Sequence, residues 1–213
     1  MKSPVEMVSP DKALTGRETP IVTNRNHLFF NAPFYGAVPV GMEAAYVAMG
    51  CFWGAERAFF NLPGVVSTSV GYMGGYTKNP TYEECCSGLT GHTETVRVIF
   101  DPTKTTYARV IQHFFEGHDP TQGMRQGADR GTQYRSAVFF ETPEQELVVR
   151  DIAAQYEKQL GSAGYGAITT EISSAREYYF AEEYHQQYLV ANPNGYCGIG
   201  GTGVSCPVGL GAV

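Results

Sequence analysis

Two different hydrophobic periodicities meet at a single cysteine in residues 43–61, and this junction limits the fold more than any other part of the chain. Residues 43–49 (EAAYVAM) are nearly all apolar and predict a short buried strand. Residues 53–61 (WGAERAFFN) carry apolar side chains at helical spacing and predict a helix. The two runs are joined through the sequence GCFWG, so Cys51 is predicted to lie where a strand turns into a helix.

The surroundings predicted for Cys51 favour a reactive thiol. The first turn of a helix offers backbone N–H groups that have no partner within the helix. These donors and the helix dipole stabilise an anion, so we expect the pKa of Cys51 to lie below its free value of about 8.5. Phe52 and Trp53 are predicted to form the walls of a small apolar recess beside the thiol. Trp53 is the only tryptophan of the chain. The alternative is a buried and unreactive cysteine in a tight turn.

Composition indicates one globular domain and excludes several classes of partner. The chain has 213 residues, of which 43% are hydrophobic and 17% are charged, so it contains enough apolar material for a substantial core. The net charge of -6 and the lack of a Lys/Arg cluster argue against nucleic acid as a partner. No apolar run is long enough to cross a membrane, and the N-terminus lacks the apolar centre of a signal peptide. We therefore expect a cytoplasmic monomer without a membrane partner.

The five cysteines are interpreted as free thiols, because an odd number in a reducing compartment does not suit a disulfide scaffold. They are Cys51, Cys85, Cys86, Cys197 and Cys206. No pair has the C-x-x-C spacing of a zinc site, and no histidine pair with ligand spacing lies near a cysteine, so no metal is expected. The adjacent Cys85 and Cys86 are assigned no role.

The order of the predicted elements indicates an α/β (α+β) two-layer sandwich with a mixed sheet. Strands are predicted at residues 43–49, 65–72, 92–100, 133–140 and 168–173, and helices at 53–61, 81–87, 106–118, 142–160 and 182–190. The chain divides into a long N-terminal arm (1–41), a catalytic α/β domain (42–191) and a flexible Gly-rich C-terminal tail (192–213). Three aromatic residues of the arm, Phe29, Phe30 and Phe34, are expected to pack on the domain.

Glu94 lies within a predicted strand, HTETVRVIF, whose side chains alternate between two faces. It shares a face with Val96, Val98 and Phe100, which mark that face as the inner one. A carboxylate turned inward must be paired or must hold a proton at a higher pH than usual. A carboxyl group that stays protonated near neutral pH is a candidate general acid. The alternatives are an edge position that reaches water and an ion pair with an arginine.

Cys197 and Cys206 lie in the glycine-rich tail, where the backbone has few steric limits. Cys197 could reach another sulfur if the two Cα atoms approach within about 7 Å. The remaining candidates are weaker on the residues alone. Tyr82 and Tyr134 are two of 14 tyrosines, and Asp129 lies in a polar loop, so the residues by themselves do not select them.

Five motifs that occur in order along the chain closely resemble the class A peptide methionine sulfoxide reductases. They are GCFWG, GHTETVRVIFDP, GTQYRSAVF, YHQQYL and GYCGIGG, and the resemblance extends from Met42 to Cys206. It implies a ferredoxin-like core and a repair enzyme for the S-epimer of methionine sulfoxide, either free or in oxidised proteins. It also implies thioredoxin as the reductant and no metal or organic cofactor.

The resemblance implies roles for the polar residues of the site. Cys51 would attack the sulfoxide sulfur, and Glu94 would supply the proton that turns the sulfoxide oxygen into a leaving group. Tyr82 and Tyr134 would hydrogen-bond that oxygen. Asp129 would order the polar side of the pocket, although the family often has an asparagine before this aspartate and the present chain has an alanine.

The apolar part of the pocket and the recycling steps are implied in the same way. Phe52 and Trp53 would hold the S-methyl group of the substrate, with His185 and Tyr188 shaping the pocket from behind. Cys51 would be left as a sulfenic acid, the first and reversible step of thiol oxidation.

A relay of disulfides would then restore the thiol. Cys197 would attack Cys51 to form a disulfide, and Cys206 would then attack Cys197 to form a second disulfide that thioredoxin reduces. The role of Cys206 is less firmly implied than that of Cys197, because the tail varies within the family.

Two other functions are compatible with a reactive cysteine. A cysteine hydrolase or transferase would need a histidine to activate Cys51, and His118 or His185 are the candidates. A binding module could use the Phe52/Trp53 recess without any turnover. A general thiol–disulfide exchange protein is disfavoured because the chain has no C-x-x-C pair.

Overall fold

A six-stranded mixed sheet forms the centre of the protein in the computed structural model, which describes residues 5–207. Its strands are β1 (Glu43–Ala48), β2 (Val65–Met73), β3 (Thr93–Phe100), β6 (Ala137–Phe140), β7 (Glu171–Ser174) and β8 (Tyr179–Phe180). The strand order is β7-β6-β1-β3-β2-β8, and only the β6–β7 pair is parallel. A separate two-stranded hairpin joins β4 (Arg125–Gln126) to β5 (Asp129–Arg130).

The helices of the described residues lie between these strands along the chain, except for the last of them, which follows β8. They are α1 (Phe52–Phe59), α2 (Tyr82–Cys86), α3 (Tyr107–Gly117), α4 (Pro143–Ser162) and α5 (Tyr188–Ala191). The four central strands run in the order β6-β1-β3-β2 with antiparallel neighbours, and α1 and α3 provide the two crossovers. This is the ferredoxin-like arrangement, so the predicted two-layer fold is confirmed.

Strand β3 lies at the centre of the sheet and is buried along its whole length. Val96, Val98 and Phe100 contribute to the main core together with α1, α3 and α4. Glu94 precedes them on the same face by the period of two, and it is 2% exposed. The inward orientation predicted for Glu94 is therefore correct.

Two predicted elements differ from the structure near the site. The strand predicted from residue 133 begins at Ala137, because Thr132–Tyr134 form a 3-10 turn that places Tyr134 before the sheet. The helix predicted over 182–190 is interrupted by Gln187, whose φ is 50°.

The interruption has a tertiary cause that the sequence pattern could not reveal. The Gln186 side chain replaces a strand partner, since its amide accepts from the backbone N–H of Val70 at 2.9 Å and donates to the Val70 carbonyl at 2.7 Å. These bonds across 116 residues hold the segment against β2 and leave only a 3-10 turn (Glu183–His185) and the short helix α5.

The N-terminal arm contacts the face of the sheet that carries Arg97, opposite the face that packs on α1, α3 and α4. Phe34 is 2% exposed, and its carbonyl and that of Gly36 accept hydrogen bonds from the buried guanidinium of Arg97. Phe29 packs on Phe60 with stacked rings 4.9 Å apart, yet it remains 46% exposed. The arm therefore supplies both apolar cover and partners for a buried charge.

The described part of the tail lies along α3 and α4. The hydroxyl of Tyr156 contacts Thr202 at 2.9 Å and the carbonyl of Val204 at 3.1 Å, and Ile199 and Val204 pack against the main core. Residues 1–4 of the predicted arm and 208–213 of the predicted tail lie outside the described residues. Between residues 5 and 207, no helix has the length and apolar character needed to cross a membrane.

We expect Phe34→Ala to lower the free energy of unfolding by about 3 kcal/mol or more, because it opens a cavity over the sheet beside the Arg97 contacts. Thermal unfolding followed by circular dichroism measures the change. Phe29→Ala is the matched control, since its ring is half exposed and its loss should cost much less. Equal effects of the two substitutions would contradict the proposed packing of the arm.

Candidate active site

Cys51 is the N-cap residue of α1 and is 7% exposed. The turn that leads into it depends on Gly50, whose φ of 98° is in the left-handed region that favours glycine. A Cβ atom on Gly50 would lie 2.6 Å from the Cβ atom of Gln126, so the hairpin packs directly on this turn. The predicted strand-to-helix junction is therefore correct, and the β4–β5 hairpin closes over it.

The predicted lowering of the Cys51 pKa is wrong. Burial raises the pKa of Cys51 well above its usual range, and the neighbouring carboxylates of Glu94 and Asp129 add to the rise. The backbone N–H groups of Trp53 and Gly54 act in the opposite direction but do not compensate. The helix terminus is present as predicted, but desolvation of the sulfur outweighs it. The resting residue is thus a neutral thiol.

Glu94 lies directly under the first turn of α1. Its Oε2 atom accepts a hydrogen bond of 2.8 Å from the backbone N–H of Phe52, the residue that follows Cys51. Burial raises the pKa of Glu94 to about 8, although the Phe52 N–H opposes the rise. At neutral pH the group is therefore mostly a protonated carboxyl that lies beside the cysteine.

Tyr82 and Tyr134 approach the same carboxyl group from two different segments. Burial raises the pKa of each hydroxyl, and the charge of Glu94 is the next largest cause in both cases. Tyr82 begins α2, where its backbone N–H donates to the Glu182 carboxylate at 2.9 Å. Both phenols remain protonated donors across the physiological range.

Aromatic rings form a wall beside Cys51. Trp53 stacks on Tyr188 with ring centres 3.9 Å apart, and its indole N–H donates to Nδ1 of His185 at 3.1 Å. The His185 ring also lies 4.4 Å from that of Tyr82 and 5.1 Å from that of Phe52. Burial lowers the pKa of His185 to about 4, so this imidazole is neutral and accepts the indole bond.

Asp129 lies on strand β5, at the entrance to the site. It accepts a hydrogen bond of 3.1 Å from the hydroxyl of Tyr196, the residue before Cys197. Burial raises the pKa of Asp129, and its charge is one of those that raise the pKa of Cys51. The tail is thus connected to the polar edge of the site.

Cys197 is half buried and packs against the first turn of α1. A Cβ atom on Gly54 would lie 2.9 Å from the Cys197 sulfur, so the thiol occupies space that is left free by this glycine. Since Gly54 is three residues after Cys51, Cys197 lies one helical turn from the candidate nucleophile.

Cys206 is held away from this region. It is buried, its backbone N–H donates to the Glu116 carboxylate at 2.7 Å, and its carbonyl accepts from Gln112 at 2.9 Å. Burial and the charge of Glu116 raise the pKa of Cys206 to about 12. The structure therefore brings Cys197, and not Cys206, close to Cys51, and these three cysteines are free thiols.

Two residues of the site escaped the sequence analysis. Glu182 accepts bonds from the Tyr72 hydroxyl at 3.0 Å and the Tyr82 N–H, and Tyr196 supports Asp129. Their hydrogen-bond partners lie 67 to 110 residues away along the chain, so no local sequence pattern could reveal Glu182. For Tyr196, the position next to Cys197 was the one sequence signal of a place in the site.

The geometry disfavours a hydrolase with His118 as the base. Both ring nitrogens of His118 are engaged, one with the Phe114 carbonyl at 2.8 Å and the other with the Ser136 hydroxyl at 2.7 Å. His185 contacts Trp53 through Nδ1, and its Nε2 has no hydrogen-bond partner among the described residues.

Within residues 5–207 there is also no group of three or more His, Cys, Asp or Glu side chains that could hold a metal ion.

Comparisons with known proteins identify the family of this chain. The family model for peptide methionine sulfoxide reductase matches residues 43–203. A relative from Azorhizobium caulinodans, peptide methionine sulfoxide reductase MsrA, is 55% identical over 99% of this chain and 96% of its own length.

The chain belongs to the class A peptide methionine sulfoxide reductases.

Solved structures support the same assignment. Methionine sulfoxide reductase A of Corynebacterium diphtheriae is 46% identical, covers 96% of this chain and 99% of its own, and superimposes with a TM-score of 0.85. Mxr1 from Saccharomyces cerevisiae, solved in complex with Trx2, shares the fold at 21% identity and a TM-score of 0.51, covering 72% of this chain and 89% of its own. As a member of this family, the protein is an oxidoreductase that acts on methionine sulfoxide.

For a methionine sulfoxide reductase with this site, we expect the first turnover to slow as the pH rises through about 8. The reason is that Glu94 holds its proton below that pH and loses it above, so the donor role predicted for this carboxyl group would be lost there. Glu94→Gln should lower the rate by about 100-fold or more and remove the step near pH 8. Rapid-quench measurement of methionine formed across pH 6 to about 9.5 tests this.

The control is Glu146→Gln, on the exposed side of α4, where Glu146 pairs with Arg150. This variant should keep both the wild-type rate and the pH step. Retention of the step in Glu94→Gln would exclude Glu94 as its source.

Proposed function

We propose that the protein reduces the S-epimer of methionine sulfoxide, free or within oxidised proteins, by attack of Cys51 on the sulfoxide sulfur. The observation that carries this proposal is the hydrogen bond between Glu94 and the Phe52 N–H. It keeps a carboxyl group that is protonated at neutral pH beside a cysteine, within a wall of aromatic rings.

The first step transfers oxygen without a net change in protons. The Cys51 sulfur forms a bond to the substrate sulfur while the Glu94 proton passes to the sulfoxide oxygen. That oxygen then moves to Cys51 as the S–O bond of the substrate and the newly formed bond between the two sulfurs break, which leaves methionine and a sulfenic acid. The thiol proton of Cys51 returns to Glu94, which explains why a nucleophile with a raised pKa is compatible with turnover.

The other residues of the site bind and orient the substrate. We assign Tyr82 and Tyr134 as donors to the sulfoxide oxygen, because both phenols stay protonated near Glu94. Asp129, supported by Tyr196, orders the polar entrance. Phe52 and Trp53 receive the S-methyl group, and His185 and Tyr188 hold the indole in place.

Recycling begins at Cys197, whose sulfur packs against the first turn of α1. Its sulfur attacks the Cys51 sulfenic acid, so that a disulfide forms and water leaves. Cys206 then attacks Cys197, which releases Cys51 as a thiol and transfers the disulfide to the tail. Because Cys206 is bound to Glu116 and Gln112, this second exchange requires the tail to leave α3.

Thioredoxin is the proposed reductant of the tail disulfide, in a cytoplasmic monomer that needs no metal or organic cofactor. The fold relative Mxr1 has been solved with Trx2, which supports a thioredoxin partner. A disulfide between two tail cysteines would offer such a partner a short exposed segment, since residues 200, 201, 203 and 205 are exposed.

A single-turnover assay on fully reduced protein, without added reductant, tests the reaction. With the S-epimer of a blocked methionine sulfoxide, the wild type should form two methionines per chain, because the tail disulfide frees Cys51 once. Cys206→Ser and Cys197→Ser should each form one. No methionine from the S-epimer, or equal amounts from the R-epimer, would contradict the proposed reaction.

The contact between Gly54 and Cys197 gives a prediction that separates recycling from the first step. Gly54→Ala should leave the first methionine unchanged but slow disulfide formation several-fold, because the added methyl group displaces the Cys197 sulfur. Thiol titration at quenched time points measures this.

Gly161→Ala in α4 is the matched control, since a Cβ there meets nothing within 4 Å. Both substitutions favour their helix by up to about 1 kcal/mol, so a defect confined to Gly54→Ala cannot come from helix propensity. Disulfide formation at the wild-type rate in Gly54→Ala would show that this contact does not matter.

A further inference from the structure

Glu56 is a buried carboxylate that the proposed reaction does not use. It lies on α1, three residues after Trp53, and is 1% exposed. Its Oε1 atom accepts from the Thr68 hydroxyl at 2.9 Å and from the Gln187 side-chain amide at 3.0 Å, and its Oε2 atom accepts from the Gln187 backbone N–H at 2.8 Å. Both oxygens therefore act as acceptors. Burial raises the pKa of Glu56 to about 7, and the hydrogen bonds from Gln187 and Thr68 oppose this rise by stabilising the carboxylate.

The partners of Glu56 form a directed chain of hydrogen bonds that begins in the N-terminal arm. The backbone N–H groups of Phe29 and Phe30 donate to Nδ1 of His27, so the ring proton lies on Nε2. That nitrogen donates to the Thr68 hydroxyl at 2.8 Å, which in turn donates to Glu56. Burial lowers the pKa of His27 to about 3, so the imidazole is neutral and this polarity is maintained.

The other end of the chain reaches the aromatic wall. Gln187 adopts a left-handed backbone conformation, with φ of 50°, and it is followed directly by Tyr188. Tyr188 stacks on Trp53, and His185, two residues before Gln187, accepts the indole bond. The segment 185–188 therefore holds Trp53 through both of its contacts, and its unusual backbone is held by the two bonds from Gln187 to Glu56.

We propose that Glu56 is a positioning residue for the substrate pocket, which fixes the segment 185–188 and hence the Trp53 indole, with His27 of the arm as part of the same support. The inference rests on the proposed function, since it assigns the indole to the methyl group of the substrate. It gives the N-terminal arm a part in the site without any direct contact with substrate.

The isosteric variant Glu56→Gln is the most informative test. A glutamine side chain has one acceptor and one NH2 group, so at least one of the donors from Thr68 or Gln187 would face another donor. The support breaks while the volume in the core stays the same. Trp53 is the only tryptophan, so the intrinsic fluorescence of the protein reports directly on the indole.

The expected result is a change in the emission of Trp53 together with a selective loss of substrate binding. With the S-epimer of a blocked methionine sulfoxide, KM should rise by about three- to tenfold, the range for the loss of one hydrogen bond, while kcat stays within about twofold. Thr68→Val removes the hydroxyl between His27 and Glu56. It should change the Trp53 emission and KM in the same direction as Glu56→Gln, but by less. It also tests the proposal if Glu56→Gln does not fold.

Phe29→Ala is the matched control, because it weakens the packing of the arm but keeps the backbone N–H that bonds His27. It should leave the emission and KM at wild-type values. Wild-type emission in both Glu56→Gln and Thr68→Val, or a rise in KM without a change in emission, would overturn the proposal. Failure of the wild type to form methionine would instead refute the proposed function, and emission would still test the support of Trp53.

Discussion

The hydrogen bond from the Phe52 N–H to Glu94 is the interaction on which the rest of the site depends. Helix α1 begins at the end of β1, so its first turn has free backbone N–H donors. Glu94 on the neighbouring central strand β3 places its carboxyl group against these donors. The bond joins the two elements that supply the proposed nucleophile, Cys51, and the proposed proton donor, Glu94. The first turn of α1 therefore donates hydrogen bonds both to the Glu94 carboxyl group and to the Cys51 sulfur.

Burial determines the protonation of this site. The thiol, the carboxyl group and both phenols have raised pKa values because each is removed from water. As a result, these four groups hold their protons at neutral pH before substrate arrives. A sulfoxide needs a proton before its oxygen can leave, so such a site is suited to it, whereas an acyl-transfer enzyme would need a thiolate and a histidine base.

Three segments that are distant along the chain converge on the first turn of α1. The segment 185–188 holds Trp53, the hairpin β4–β5 packs on Gly50, and the tail places Cys197 against Gly54. Each contact depends on a different feature. Trp53 stacks on the ring of Tyr188, the turn at Gly50 needs a positive φ, and Gly54 lacks the Cβ atom that would displace Cys197. The N-terminal arm joins this arrangement through His27 and Thr68, so the surface segments and the site form one connected structure.

The sequence by itself determined the two-layer α/β order of elements, the junction at Cys51 and the inward face of Glu94, because these depend on local periodicity and on alternation along one strand. The ferredoxin-like core was implied only by the family resemblance. The family motifs also named the residues that the structure brings together. Only the tertiary structure decided the high pKa of Cys51, the broken helix at Gln187 and the support from Glu56 and Glu182. The reason is physical: desolvation and hydrogen bonds between residues about 100 to 130 positions apart depend on packing, which leaves no local pattern in the chain.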